Sequence, residues 1–563
     1  MKKFKKFNIV LLILLAFSVM LIGCSNNKKT EVADKAVSNE EKLTGEVAEY
    51  KSPNENTMVL TLFQNPKTLD IQKTNADYFI PLQIYNRLVE AEPDGNGGVK
   101  IVPSLAESWD VSENGKVYTF HLAKGVKFHN GEEFKADDVL FTIDKMMDPE
   151  QATINSWIFE IIEGAKDRLE GKADSVSGVK VIDNYNVEIT LEKEYAPFLA
   201  SLTDAPASIF NRKAVEEGKD KFGFDPEYTV GTGYLKFKDW KQEQEINLVR
   251  NDEYFKGAAH IDGLRYLINV DASTARMMFE NGELDLIKIK SKATYDHYMQ
   301  SPEWKDYVLS NDRPGLTFIT FNEKSEPIKD VRVRKAIQLA INRDIINKNF
   351  FNGTGTIMNG CIPPMIPGYN PDLPKIPYDL EKAKNLLSEA GYPDGFDLVL
   401  LQNGASKYTH SINEALQSML SQIGIKVQIK NVDMGAYWDI RGDRNNNEYG
   451  ITVGPMTAGA PDPGEFFSSY TINDDEVEFY GQERKKLSDA IEAADVTVDP
   501  EERIKSYQEL EKVITQDEAL YFPLASTKGE WVVSPRLKNF HLSWQGWAAG
   551  STYDVEIDPA YNK

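Results

Sequence analysis

Between Val102 and Met147 the chain alternates, turns and then changes period, and few folds accommodate all three. Val117, Thr119 and His121 alternate with Tyr118, Phe120 and Leu122, the period of a strand with one buried face. Asn114-Gly115 ahead of it and Asn130-Gly131 behind it tolerate positive φ, so both read as tight turns. From Val139 the period becomes helical. Val139, Leu140, Ile143, Met146 and Met147 share one face, with Asp137 placed to cap the N-terminus. A compact α+β unit follows, and no chemistry follows with it.

Similar punctuation runs along the rest of the chain. Val59 to Phe63 reads as a strand that Pro66 breaks, Pro81 to Val89 as a helix, and Val179 to Leu191 as a hairpin. The C-terminal half alternates strand and helix. Val333, Ala336, Ile337, Ala340 and Ile341 line one helical face. Leu380 to Ala390 is a helix capped by Asp379 and ended by Gly391. A strand from Asp397 to Leu401 follows. Next comes a helix striped by Ile412, Ala415, Leu416, Met419, Leu420 and Ile423 and closed by Gly424. Ile425, Val427 and Ile429 alternate as the next strand. Ala490 to Gln516 adds helices, and Asp517 to Trp531 returns as a strand. This succession predicts an α/β lobe, and 563 residues are enough for two or three lobes.

The N-terminus addresses location. Lys2, Lys3, Lys5 and Lys6 precede an apolar run, Ile9 to Ile22, interrupted only by Ser18. The run is shorter than the roughly 20 residues of a membrane span and fits the core of a signal peptide. It ends Leu21-Ile22-Gly23-Cys24. Residues 24–55 are polar and charged and read as a flexible tether. With 64 Lys+Arg against 87 Asp+Glu, net −23, the chain is not a nucleic-acid binder, and it is poorly suited to grip an anionic membrane surface. Of the two cysteines, Cys361 has no partner beyond Cys24 and reads as a buried core thiol.

Catalytic patterns are missing. The chain has no HExxH, paired CxxC or G-x-S-x-G, and its six histidines show no metal-ligand spacing. His129, in the second Asn-Gly turn, reads as a packing residue. Gly353-Thr354-Gly355 lacks the ending of a phosphate loop. Asp94-Gly95-Asn96-Gly97-Gly98 lacks the distal Glu of a calcium loop. No cofactor and no enzymatic activity are expected.

The words of the sequence go further than its periods. PSLAESWDVSENGKVYTFHLAKGVKFHNGEEFKADDVLFTIDKM, from Pro103 to Met146, resembles the signature of the family 5 solute-binding proteins of peptide and nickel ABC transporters. Gly231-Thr232-Gly233-Tyr234-Leu235-Lys236-Phe237 is similar to that family's GTGPYKF element. Pro66 to Asp70, Leu248 to Phe255 and Ala275 to Leu286 resemble further elements, and the likeness runs from about Val59 to Trp547. Leu21 to Cys24 resembles a bacterial lipobox, which implies cleavage before Cys24, lipidation of its thiol and anchoring on the extracytoplasmic face of the cell membrane.

The resemblance implies an α/β, periplasmic-binding-protein-like two-lobed fold of the large peptide-binding type, with an extra small α+β lobe. Residues 1–23 would be signal peptide. Residues 56–90, 205–275 and 520–563 would form a discontinuous lobe I, 91–204 a small lobe II and 276–519 lobe III. A ligand would lie between lobes I and III, which close by a hinge. The implied function is capture of a short peptide by a monomeric receptor for an ABC permease and its ATPase. A metal chelate, oligosaccharide or opine-like acid is the alternative ligand. A signalling receptor and an exported hydrolase are rivals of another class. Implied ligand-site residues are Asn65, Trp438, Arg441, Arg444, Met456, Thr457, Gly459, Asp462 and Trp544, with Trp547 a further candidate for stacking. In peptide-binding members an Asp takes the peptide's α-amine at the place of Gly459, and a Trp stands at that of Met456. Ala460-Pro461-Asp462-Pro463 keeps the family's PDP, and Asp462 is the acid nearest to replace the missing one.

Overall fold

The computed structural model describes residues 56–561 apart from 63, 75–77, 96–97, 405–406, 444, 473 and 546–551. Strand β1 (Thr57–Leu62) opens it. The chain then builds a four-stranded antiparallel sheet from β2 (Ala106–Val111), β3 (Val117–Leu122), β4 (Val179–Asp183) and β5 (Asn186–Thr190), in the order β2-β3-β5-β4. Helix α1 (Ala136–Met146) covers it, and Phe120, Val139, Ile143, Val187 and Ile189 form its core. The predicted alternation of β3 holds: Tyr118, Phe120 and Leu122 are the buried face.

The chain then returns to β1. A meander of β6 (Leu235–Lys241), β7 (Glu245–Arg250) and β8 (Gly263–Ile268) places β8 parallel to β1, so residues some two hundred positions apart form one sheet. There follow α2 (Ala272–Glu280), β9 (Leu286–Lys288), α3 (Lys292–Gln300) and the long β10 (Val308–Phe321). The α/β part is α4 (Val331–Ala340), α5 (Leu380–Glu389), β11 (Asp397–Asn403), α6 (Lys407–Ser421), β12 (Lys426–Val432), α7 (Met434–Gly442) and β13 (Ile451–Thr457). Helices α8 (Gln482–Val496) and α9 (Pro500–Lys512) lead into β14 (Tyr521–Val533). The large sheet runs β9-β14-β10-β13-β11-β12, with β11 parallel to both neighbours, the mixed α/β arrangement expected.

Two local expectations need correction. Helix α1 begins at Ala136, and the carboxylate that closes its first turn is Asp138, which accepts from Lys135 N at 3.0 Å; Asp137 lies inside the helix. A carboxylate three residues into the helix reaches back to the capping amide as well as one placed ahead of it. The helix expected over 81–89 is one turn, Pro81–Ile84, and Tyr85 is extended. The cause is distant in sequence. Gly233 N donates to Ile84 O at 2.8 Å, taking the carbonyl a longer helix would use. Gly231 stands so close that a Cβ there would lie 2.1 Å from the same oxygen. His129 fastens this motif as a neutral ring: Gly231 N donates to Nδ1 at 3.2 Å, and Nε2 donates to Gly233 O at 2.9 Å. Burial, aided by the charge of Lys236, lowers its pKa to about 4 although the bond to Gly233 opposes this. Lys145, on α1, reaches Asp70 at 3.1 Å and Gln72 at 3.0 Å in a buried pair, which ties two of the recognised motifs together. Cys361 is fully buried, and burial holds its thiol protonated.

Candidate ligand-binding site

Strands β10 and β14 run side by side and lapse at the same level. Val308 to Asp312 pair with Lys528 to Val532, and Leu316 to Thr320 pair with Tyr521 to Ser526, with a register shift between Asp312 and Leu316. Arg313, Pro314 and Gly315 stand in the gap against Thr527 alone, and a proline has no N–H for a ladder. Beyond the lapse β10 gains β13 as its other neighbour, from Gly315 opposite Thr457 to Phe321 opposite Ile451. A cavity of about 250 Å³ opens here, walled by Arg313, Gly315, Thr317, Met456, Thr457 and Thr527. Two residues expected at the site, Met456 and Thr457, therefore share a wall with Gly315, opposite Thr457 in the β10–β13 ladder.

Just past β13 the sequence offers glycine where the resemblance leads to a carboxylate. The space is not vacant: a Cβ on Gly459 would meet Asp204 Oδ2 at 2.5 Å. Asp204 caps a short turn, Ala205–Ala207, accepting from Ala205 N at 2.7 Å. Beside it, the Glu465 carboxylate accepts from Gly459 N at 2.9 Å and Ala460 N at 2.7 Å. Burial pushes Asp204 up to about 6, against the pull of the Ala205 amide and the Arg87 charge. Burial and then the Asp204 charge push Glu465 up to about 8, despite its two amide donors. Two enclosed carboxyls thus face each other across this loop, each more easily protonated than usual.

The other expected residues divide. Asp462 is buried and committed: both its oxygens accept from Arg503, each at 2.8 Å, and Oδ1 also caps Gly464 N at 2.8 Å. Trp544 is 7% exposed and packs in a core with Leu316, Met358, Phe466 and Tyr521; its neighbour Gln545 donates to Gly459 O at 3.1 Å. Trp438 is 56% exposed on α7, edge-on to Tyr437, and Arg441 lies 5.2 Å over its ring. Asn65 fastens the loop after β1 to the β6–β7 turn, donating to Gln242 at 2.8 Å and accepting from Trp240 at 3.1 Å and Glu243 N at 3.2 Å. Cys24, Arg444 and Trp547 lie outside the described residues.

A larger cavity, about 460 Å³, went unnoticed in the sequence. It lies where β1 and β9 end, between the first turns of α2 and α3, with Trp531 of β14 on its wall. Lys288 lines it. Burial lowers its pKa to about 8, and the charges of Arg313 and Lys290 act in the same direction. Arg313, on the wall of the smaller cavity, thus acts on a residue of the larger one. Ile287, Lys288, Ile289 and Lys290 alternate with the period of an ordinary surface strand, which gives no sign of a cavity.

Comparison with known proteins bears on the family and the fold. Residues 100–476 match the family model of the bacterial extracellular solute-binding proteins, family 5, middle region. Heme-binding protein A of Haemophilus influenzae is 31% identical over 91% of this chain and 94% of its own length. The dipeptide-binding protein of Escherichia coli is 30% identical over 81% of this chain and 85% of its own. The periplasmic binding protein DppA of Helicobacter pylori, solved in complex with peptide STSA, superposes with a TM-score of 0.71 at 26% identity, covering 89% of this chain and 98% of that one. Fold, motifs and near end-to-end relatives agree, and the chain belongs to the bacterial extracellular solute-binding proteins of family 5.

Proposed function

We propose that this protein captures short peptides outside the cytoplasm and hands them to an ABC permease, its Cys24 lipidated and holding it to the outer face of the membrane. The reading is of a binding cycle without catalysis, performed by a monomer whose lobe I (56–90, 205–275, 520–563) and lobe III (276–519) close over the ligand, with lobe II (91–204) as an inserted brace. One observation carries the peptide assignment furthest. The smaller cavity is walled by Met456 and Thr457, on the stretch of β13 beyond its pairing with β11 at Ile451 and Thr452, an outer strand edge to which an extended peptide would add. Similarity to the dipeptide-binding protein of Escherichia coli and to a protein solved with peptide STSA supports the same assignment.

A non-peptide solute is the second reading, and Gly459 favours it. The side chain expected to hold a peptide amine is missing there, and Asp462, the nearest substitute, is committed to Arg503. Native mass spectrometry of the full chain in detergent, before and after denaturation, decides between the two. A family of masses released on unfolding and sequenced as short peptides is expected. A single non-peptide mass would overturn the peptide assignment.

A further inference from the structure

The loop that follows the ligand wall is held by side chains. Met456 and Thr457 end β13, and just beyond them Gly459 N and Ala460 N both donate to Glu465, at 2.9 Å and 2.7 Å, while Gln545 donates to Gly459 O at 3.1 Å. Glu465 belongs to the turn Pro463–Phe466, and Phe466 and Phe467 bury themselves in the core that also holds Leu316 and Tyr521. Against Gly459 stands Asp204, between Leu202 and Ala207, both buried in the core of the small antiparallel unit. Its Oδ1 accepts from Ala205 N at 2.7 Å and its Oδ2 is turned to Gly459. The contact thus joins two separate cores through two enclosed carboxyls. Two such carboxylates repel, and one proton between them removes the repulsion. The surrounding groups leave this pair to itself. Arg87 acts on Asp204, and Asp462 acts on Glu465 but is paired with Arg503. The phenols of Tyr78 and Tyr195 stay protonated. Burial raises both, helped by the Asp204 charge at Tyr78 and by those of Asp495, Asp462 and Glu465 at Tyr195, with Asn155 and Arg503 opposing in turn.

We infer that Asp204 and Glu465 form a proton-operated latch that positions the ligand wall: with a proton between them the small unit and the loop after β13 stay together around the solute, and with both charged they part. The inference rests on the reading of the protein as a receptor that closes over a small solute, and it adds what the closed state depends on. Asp204 and Glu465 are positioning residues. They meet Gly459 and Ala460, and act on the solute through Met456 and Thr457 just upstream. A solute that selects the closed form takes up a proton with it. Burial and the Asp204 charge raise Glu465 from 4.5 to about 8 in the contact. The closed form's advantage is therefore complete below the lower value and lost as pH rises to the upper one.

Hydrogen exchange on the full chain in detergent, corrected for the intrinsic effect of pH on amides, reads the latch without any solute. Protection of Gly459 and Ala460 should fall at least about tenfold between about pH 5.5 and about pH 7.5. Asp204→Asn removes one charge and keeps the shape, and there the fall should shrink below about twofold. Calorimetry with trialanine at the same two pH values reads the solute. Its affinity should fall in parallel, at least about tenfold in the parent and less than about twofold in Asp204→Asn. Protection that does not change with pH in the parent, or that falls equally in Asp204→Asn, would overturn the latch whatever trialanine does. Trialanine held equally well by the parent at both pH values would overturn the link between latch and solute. A fall in protection with no trialanine bound would sustain the latch and count against the peptide assignment alone.

Discussion

Asp462 and Glu465 stand three residues apart in one loop and do different work. Asp462 gives both oxygens to Arg503 in a buried, bidentate pair, the geometry in which an ion pair is hardest to break. Replacing Arg503 with Met leaves that carboxylate enclosed without its counter-charge. Chemical denaturation should show a loss of about 3 kcal/mol or more. Adding Asp462→Ala to the same chain should recover much of it, because the cost lies in the orphaned charge. A loss below about 1 kcal/mol for Arg503→Met would mean that Asp462 is free for another partner, as a ligand-binding role requires.

At the scale of elements, two glycines test how firmly the site is built. A Cβ on Gly315 would meet the backbone oxygen of Met456 at 2.3 Å; one on Gly459 would meet the carboxylate of Asp204 at 2.5 Å. Backbone in a paired strand cannot step aside, whereas a side-chain end can rotate. Gly315→Ala should therefore cost about 1–3 kcal/mol and Gly459→Ala less, measured side by side by thermal melting. The reverse order would show that Asp204 is held more rigidly than the ladder. The same contrast explains what was readable beforehand. Helix α5 was legible because its signals are local: Asp379 accepts from Lys382 N at 2.9 Å and Gly391 takes φ +94°, as their positions imply. The helix expected over 81–89 failed because Gly233, far along the chain, captures its carbonyl. Asp204 was invisible as a neighbour of Gly459 for that reason too: nothing in Leu202-Thr203-Asp204-Ala205 points to a loop more than two hundred residues later. Met456 and Thr457 came from the resemblance, and the alternating lysines near β9 were hidden by a period they share with ordinary surface strands.

Across the whole molecule, the small antiparallel unit and the α/β part touch directly. Ala196 N donates to Asp495 O at 3.0 Å, a Cβ on Gly115 would stand 3.3 Å from Val498, and Asp204 abuts Gly459. The two raised carboxyls, Asp204 and Glu465, lie across this contact, with Asp462 in the loop of Glu465 paired to Arg503 of α9, and Arg87 acting on Asp204. A carboxyl whose folded pKa is raised binds its proton more tightly when folded. Its favourable contribution is complete below the unfolded value, near 4.5 for Glu465, and is lost as pH rises to about 8; Asp204 loses its own by about 6. The melting temperature should fall between pH 5 and pH 8, and fall less in Asp204→Asn/Glu465→Gln. Parallel curves for the two proteins would show that the pair does not hold the contact.

The twin lapse in β10 and β14 has a mechanical consequence. Two adjacent strips, bonded to each other above and below a short unbonded stretch, behave as a leaf spring: sliding one along the other would break pairings at both ends, while bending across the gap breaks none. Such a joint has one easy direction. Bending there would turn the pairings on one side of the gap against those on the other without unzipping either, a compliance that an unbroken ladder of the same length lacks.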